Sequence, residues 1–437
     1  MPNFVRPAKD AETASATDSS TSIFRDERRR AVANAVVKAA SVPIEKVCRL
    51  LLMLVAAPAL GVAGFGSYQF AFATTSMLAV CTDLGMSVWT TRALARDRAA
   101  APAIVGTALR LRLIASGPYL VIVAAAAVAS GGVAGHTLAL LGLAALLNAG
   151  LDYLAAVFRG FERLADEARL NVARALFALI TGLCALQLRR SPAALAGGLL
   201  AGVTVTAAYG LVLLRRRYGL GFQASGRRIP GAARAAFGEA FPLWLATLLS
   251  LLYFKGDVVI LKVFSTDAEI GAYSAAYKVF EGLMIVPAVV LAATFTPLAR
   301  AKADPDRQRR WEGALMAVLL ALGVLVGGGV YLESHRIVGL VYRGGFARAI
   351  PSLRVLATAV PILFLNFGLT HFLIARDLER RNLLFAAFML VVNVTANLIL
   401  IPRFGGTGAA WATLITELAL TACCVAALAA GRRDPHP

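Results

Sequence analysis

The sequence predicts an all-α polytopic membrane protein of about twelve transmembrane helices in two six-helix lobes around a central cavity. Three observations predict it. Of 437 residues 59% are hydrophobic and only 16% charged, whereas soluble domains carry about 25% charged residues. Apolar stretches of about 18 residues or more, each long enough to cross a bilayer, recur from one end of the chain to the other. The pattern G-x-Y-x-x-A occurs twice, as "GSYQFA" from Gly66 and "GAYSAA" from Gly271, each time at the start of a helix.

Taken in order, residues 1–31 are polar, rich in Ser, Thr and Ala, and close on "RDERRR". With no apolar run near the start to serve as a signal peptide, this reads as a disordered cytoplasmic tail followed by an orienting basic cluster. A first lobe (32–214) carries spans near 32–58, 66–90, 103–129, 136–158, 168–188 and 193–214. A basic cytoplasmic linker (215–234) leads to a second lobe (235–430), with spans near 235–261, 269–296, 311–331, 352–374, 382–401 and 407–430. The tail is 431–437. Six spans separate the two G-x-Y-x-x-A copies, an even number, so the halves share one orientation and relate by an axis along the membrane normal.

Alternate connections ("TRALARDRA", "FRGFERLADEAR", "RRRYGLGFQASGRR", "ARAKADPDRQRR", "ARDLERR") and the two tails hold about 28 of the 44 Lys and Arg residues, which by the positive-inside rule puts both termini in the cytoplasm. The formal net charge of +19 therefore reflects topology and attraction to anionic lipid, not nucleic acid. One loop, "ESHRIVGLVYRGGFARAIPSLR" (333–354), puts Arg336, Arg343, Arg348 and Arg354 on the opposite side. It is either an interfacial amphipathic segment or a place where the span count changes.

The five cysteines lie in apolar runs without a CxxC pair, and the four histidines have no ligand spacing. No metal site and no cofactor is expected. Charges inside the spans carry more information. The first span holds Lys38, Glu45, Lys46 and Arg49. At about 2.5–3.5 kcal/mol for each charge at the centre of a lipid-facing helix, four cost on the order of 10 kcal/mol. The span's aliphatic residues return about half of that. At 100° per residue Lys38, Glu45 and Arg49 fall within about 40° of one another, with Lys46 about 80° away. That stripe must face protein or water. Asp83, Arg110, Arg112 and Asp152 follow in the first half, then Lys255 and Asp257 in "YFKGDVVIL", and Lys278 and Glu281 with Tyr273 and Tyr277 in "GAYSAAYKVFEGL". Glu45–Arg49 and Lys278–Glu281 have the spacing of local ion pairs that lock a helix. Their recurrence at corresponding spans of both halves points instead to a water-filled, net-basic cavity.

Three stretches resemble a known family. "YFKGDVVILKVFSTDAEIGAYSAAYKVFEGLMIVPAVVLAATFTPLARA" (253–301) is similar to its seventh-to-eighth-helix region. "NVTANLILIPRFGGTGAAWATLITEL" (393–418) is similar to its penultimate-to-last-helix region, with Asn393 and Asn397 before Pro402, then Gly405, Gly408 and Ala409. "LGVAGFGSYQFA" (60–71) with "DLGM" (83–86) resembles its first hairpin. The family is the bacterial lipid-linked oligosaccharide flippases (O-antigen and exopolysaccharide type) of the multidrug/oligosaccharidyl-lipid/polysaccharide exporter superfamily, and the resemblance covers roughly residues 30–430.

The resemblance implies two six-helix lobes about a V-shaped cavity in the bacterial inner membrane. It implies a substrate of oligosaccharide joined through pyrophosphate to undecaprenol, flipped by alternating access for O-antigen, capsule or exopolysaccharide assembly. Polysaccharide polymerase and glycosyltransferases would be neighbours in the pathway. Lys38, Lys46, Arg49, Lys255 and Lys278 are the expected counter-charge for pyrophosphate, with Tyr273 and Tyr277 beside them. Lys46 stands where members of the family often carry a basic residue. Asp83, Asp257 and Glu281 are the expected groups for a coupling H⁺ or Na⁺.

Two other functions compete. A cation-coupled drug or metabolite antiporter of the same superfamily would want carboxylates rather than a basic cavity. A membrane glycosyltransferase or polymerase would want a large external loop or a paired-carboxylate motif, and the first external loop, "ALGVAGFGS", has no charge. A major-facilitator transporter would carry G-x-x-x-D-R-x-G after its second span, and "TRALARDRAAAP" does not.

Overall fold

The computed structural model describes residues 9–218, 232–301, 304–343, 345–375 and 379–430, with most side chains described from Ser41 onward. Within these stretches the chain is helical nearly throughout. The helices are α1 (Lys9–Val80), α2 (Met86–Arg96), α3 (Ala101–Ser130), α4 (Gly132–Gly160), α5 (Leu164–Leu188), α6 (Pro192–Tyr218), α7 (Ala232–Phe264), α8 (Asp267–Leu283), α9 (Ile285–Ala301), α10 (Pro305–Leu332), α11 (Ser334–Tyr342), α12 (Ala349–Ala375) and α13 (Glu379–Ala430).

Among the described residues nine helices are long and apolar enough to cross a membrane, ten with the bent α7. Two of them are double. The apolar part of α1, Ser41–Val80, has 40 residues, and that of α13, Leu384–Leu428, has 45. At 1.5 Å per residue each is roughly twice the ~30 Å hydrocarbon thickness. Each breaks at a glycine that leaves helical geometry, Gly61 (φ 69, ψ 170) and Gly405 (φ 56, ψ −134). A side chain at positive φ would clash with its own backbone, so glycine is what lets the chain reverse there. Counting both arms of α1 and α13 brings the spans to the twelve expected from the sequence.

Three expected boundaries move, each for a local reason, and one open alternative is decided. The tail read as ending at 31 is continuous with α1 from Lys9; no Gly or Pro stands between Pro7 and Pro43 to stop a helix. The second span ends at Val80 rather than near 90. Leu84 (φ 49) and Gly85 (φ 76) turn the chain, and Asp83 accepts from the Ser87 hydroxyl at 2.5 Å at the start of α2. The eighth span breaks at Met284 into α8 and α9. The awkward loop at 333–354 contains α11, nine residues long and too short to span. Ser334, Val338 and Tyr342 are buried at i, i+4 and i+8, while His335, Arg336, Leu340 and Arg343 are exposed. The amphipathic alternative holds and the span count stands.

The first lobe packs α1 against α4, α5 and α6. The second packs α12 against α8, α10 and α13, with α7 against α13. Side chains turned outward are apolar, as with Ile114, Val121, Val128 and Leu325, the pattern of a surface meeting lipid.

The lobes meet along the second arm of α1 (62–80), which lies against α8 and α7. At the Gly61 end the two repeat motifs cross each other. A Cβ on Gly66 would overlap the Asp267 carbonyl oxygen, and one on Gly271 would overlap the Val62 carbonyl oxygen. Asp267 precedes Gly271 by four residues and Val62 precedes Gly66 by four, so the contact is reciprocal, as a two-fold relation requires. The Tyr of each motif, Tyr68 and Tyr273, is fully buried. At the opposite end the Trp244 indole N–H donates to the Val80 carbonyl at 3.0 Å. Gly85 there backs onto Ala240 so closely that a Cβ would sit 2.7 Å from the Ala240 Cβ.

Candidate functional site

Midway along this seam four helical segments converge. The second arm of α1 presents Phe72 and Ser76, one turn apart on one face. From α7, Lys255 crosses to them: its Nζ donates to Ser76 Oγ at 2.8 Å and stands 4.3 Å from the Phe72 ring centroid. The first arm of α1 sends Arg49 to the same ring, its guanidinium carbon 5.8 Å from the centroid. Phe72 is itself stacked on Tyr68 at 6.0 Å. From α8 come Lys278 and Glu281, i and i+3 on one face, joined at 2.5 Å. The charges of Arg49, Lys278 and Glu281 all act on Lys255. Around Lys255, then, cations outnumber the carboxylate, and among the described residues Lys255 itself makes no ion pair; its partners are a hydroxyl and a π-face.

Beside this basic cluster, inside the second lobe, lies a buried polar core. Asp257, 4% exposed, follows Lys255 by two residues and points the other way. It accepts from the Tyr273 hydroxyl and from the Val258 N–H, the latter at 2.7 Å. Tyr277 lies one turn along α8 from Tyr273, ring centroids 5.8 Å apart. Glu417, also buried, accepts from Tyr253 at 3.1 Å and from the Asn366 amide at 2.7 Å. Thr421 donates to Asn366 Oδ1 at 2.8 Å, and Asn397 donates to Asn393 at 2.9 Å. Neither Asp257 nor Glu417 forms an ion pair among the described residues. A buried carboxylate held by neutral donors costs several kcal/mol if ionised.

Of the residues singled out from the sequence, Arg49, Lys255, Lys278 and Glu281 come together, with Asp257 on the far side of Lys255. Tyr273 is fully buried and its hydroxyl is engaged by Asp257, so it serves the carboxylate rather than a cavity wall. Asp83 stands apart at the far end of the first lobe, ion-paired with the buried Arg112. Arg112 also donates to the Ala149 carbonyl at 2.7 Å and lies 5.0 Å from the Tyr153 ring centroid. Lys46 is exposed and makes no ion pair among the described residues. Lys38 lies outside the residues whose side chains are described. Sequence reading passed over Glu417, Phe72 and Ser76. A lone Glu in the apolar run "LITELAL" is the only signal that marks Glu417.

The family described as "Polysaccharide biosynthesis protein" matches residues 31–298. Among curated proteins the chain is 26% identical over 288 residues to the "Probable low-salt glycan biosynthesis flippase Agl15" of Haloferax volcanii, covering 63% of this chain and 57% of that one. It is 27% identical over 186 residues to the "Probable flippase AglR" of the same organism, covering 40% and 37%. The chain thus spans less than two thirds of the length of either relative. Among solved structures it superposes with TM-score 0.73 on an inward-facing multidrug resistance MATE family transporter of the MOP superfamily, at 13% identity over 92% of this chain and all of that one. It superposes with TM-score 0.71 on the lipid II flippase MurJ in an inward closed conformation, at 11% identity over 90% of this chain and 87% of that one. At such identities these two likenesses speak to the fold.

Proposed function

The chain belongs to the polysaccharide biosynthesis protein family, and from that premise we propose that it is a flippase for lipid-linked oligosaccharide. Its substrate is a glycan repeat unit joined through pyrophosphate to a polyprenol, undecaprenol in a bacterial inner membrane. It moves from the cytoplasmic to the outer leaflet for O-antigen, capsule or exopolysaccharide assembly. Both termini lie in the cytoplasm, and glycosyltransferases and a polysaccharide polymerase act before and after it. The chemistry is transport by alternating access, not bond making.

The observation that carries this reading is the surplus of positive charge where the lobes meet. Arg49 and Lys278 bring two cations to Lys255, against the one carboxylate of Glu281. A pyrophosphate brings the missing negative charge and leaves again, and charge-assisted hydrogen bonds to its oxygens are roughly twice as strong as neutral ones. Cationic drugs would be repelled by the same cluster. Carboxylates of the second lobe supply the energy coupling, with the buried Asp257 and the half-buried Glu281 taking up H⁺ or Na⁺ in one lobe orientation and releasing it in the other.

The test is Arg49→Glu in cells that depend on this protein for surface glycan. Glycan export is expected to be lost while protein level and membrane insertion stay near normal, and Arg49→Lys should keep part of it. The decisive control exchanges Glu45 and Arg49. Export restored by that exchange would falsify substrate binding and leave Arg49 as one half of a scaffold pair.

A further inference from the structure

Lys255 belongs to one lobe, yet its ammonium rests on the other. Ser76 and Phe72, from the second arm of α1, are its only close partners among the described residues. Ser76 is turned to receive it: the hydroxyl donates back to the Phe72 carbonyl and to the Ala73 carbonyl at 3.1 Å, leaving a lone pair for the ammonium. Seven residues along α7, on the same face, Lys262 stands 5.5 Å from the centroid of Phe70. Lys262 also has a carboxylate of its own lobe, Asp267, at 2.5 Å. Lys255 has none. Two lysines thus cross the seam in the same way, and one of them is held only by groups that an anion would outbid.

We propose that Lys255 is a substrate-released latch between the lobes. Without substrate its ammonium stays parked on Phe72 and Ser76 and holds α7 against the second arm of α1. A pyrophosphate arriving among Arg49, Lys255 and Lys278 offers charged oxygens in place of a hydroxyl and a ring face. The ammonium moves to them, and the mid-membrane contact across the seam is given up at the moment the cavity is filled. A ligand shifts a conformational equilibrium only by its differential affinity for the two states. Here that difference has a structural source, because the contact Lys255 leaves exists only while the lobes are closed on this seam. Phe72 also carries Arg49 on its ring, so one aromatic side chain gathers the two cations that would otherwise repel each other. Phe72 and Ser76 are positioning residues in this scheme and touch no substrate.

The proposal rests on the anion site described above, and the experiment separates the two. Purified protein is titrated with farnesyl pyrophosphate, with farnesol as the uncharged control. Lobe separation is read from spin labels at Val88→Cys on α2 and Phe237→Cys on α7, in a background lacking other cysteines. In the parent protein, farnesyl pyrophosphate and not farnesol is expected to populate longer distances. In Phe72→Leu/Ser76→Ala the latch has no seat, so the longer distances should be present before ligand is added. Pyrophosphate should then bind about five-fold more tightly, the loss of a partly desolvated cation–π contact and its hydroxyl. Glycan transport should fall all the same, because binding no longer triggers separation. Should the double variant fail to fold, Ser76→Ala alone is expected to tighten binding about two-fold with the same change in distances. Lys255→Gln should weaken binding in every version of the site. Weakened binding in Lys255→Gln, together with parent-like affinity and distances in the Phe72/Ser76 variants, overturns the latch and leaves the anion site standing. Unaltered binding in Lys255→Gln overturns both.

Discussion

Gly66→Ala adds one methyl group where two helix backbones already touch. The new Cβ would overlap the Asp267 carbonyl oxygen and stand 2.7 Å from the Gly271 nitrogen. Neither neighbour is a flexible side-chain end that could swing away, so the helices must part by roughly 1 Å. A radial gap of that size forfeits about a quarter to a half of each dispersion contact. The packing that loosens with it includes Phe65 against Phe346, whose ring centroids are 6.0 Å apart. Overpacking costs typically about 1–3 kcal/mol, and an unyielding backbone on both sides puts Gly66→Ala at about 2–3 kcal/mol. Gly271→Ala should cost the same, because its Cβ meets the Val62 carbonyl in the mirror arrangement. The sharper expectation concerns the pair. Once one methyl has separated the helices, the second finds space already made. The double variant should then cost no more than about 1 kcal/mol beyond the worse single one, a coupling well outside the usual ~0.3–0.5 kcal/mol scatter of independent sites. Reversible SDS unfolding of the four proteins measures this directly. Additive costs, or singles that cost nothing, would refute the reciprocal crossing and with it the two-fold relation of the lobes.

Two further outcomes follow from the charged groups. Asp257→Asn keeps the hydrogen bonds to Tyr273 and Val258 feasible but removes the charge. It should impair turnover while leaving prenyl pyrophosphate binding intact, and full glycan flipping by this variant across pH and Na⁺ conditions would make Asp257 structural. Arg112→Ala leaves Asp83 partly buried without its cation, which typically costs about 3–5 kcal/mol. Unfolding should show that loss, and Asp83→Asn in the same chain should recover part of it; a stability change under about 1 kcal/mol would show the pair to be well solvated.

The span count was legible because length decides it: a hydrocarbon layer about 30 Å thick asks for about 20 apolar residues, and this chain supplies them repeatedly. The reversal near Gly61 and the repeat at Gly66 and Gly271 were legible because glycine leaves a local mark. The short α2 was not, since only a brief turn separates it from the second span and the two read as one run; α11 was legible only as one of two alternatives for 333–354. Side-chain partnerships across helices were the least legible. Asp83 finds Arg112 at a separation of 29 residues, and Lys255 finds Ser76 at 179. No spacing rule reaches that far. Asp83 looked like Asp257 in sequence, an acid in an apolar run, and only the fold shows that the first is ion-paired while the second makes no ion pair among the described residues.

That difference recurs among the other buried acids of the two lobes. In the first lobe Asp83 is matched by Arg112, Asp152 by Arg174 at 2.6 Å, and the buried Asp166 by Arg217 at 2.8 Å and Arg169 at 3.1 Å, as the partly exposed Asp267, Glu281 and Glu333 of the second are by Lys262, Lys278 and Arg336. In the second, Asp257 and Glu417 rest on neutral donors, and Lys255 reaches out of its own lobe for a partner. A matched ion pair is content in one arrangement and is costly to break, so it suits an element that keeps its shape. A charge held by neutral groups is stabilised by whatever ion comes next, so its energy changes with ligand. The two halves share a fold and a repeat, yet their most buried acids are held differently. Under the function proposed above, the matched pairs hold the first lobe's shape, and Asp257 and Lys255 are the groups of the second whose occupancy moves one lobe against the other.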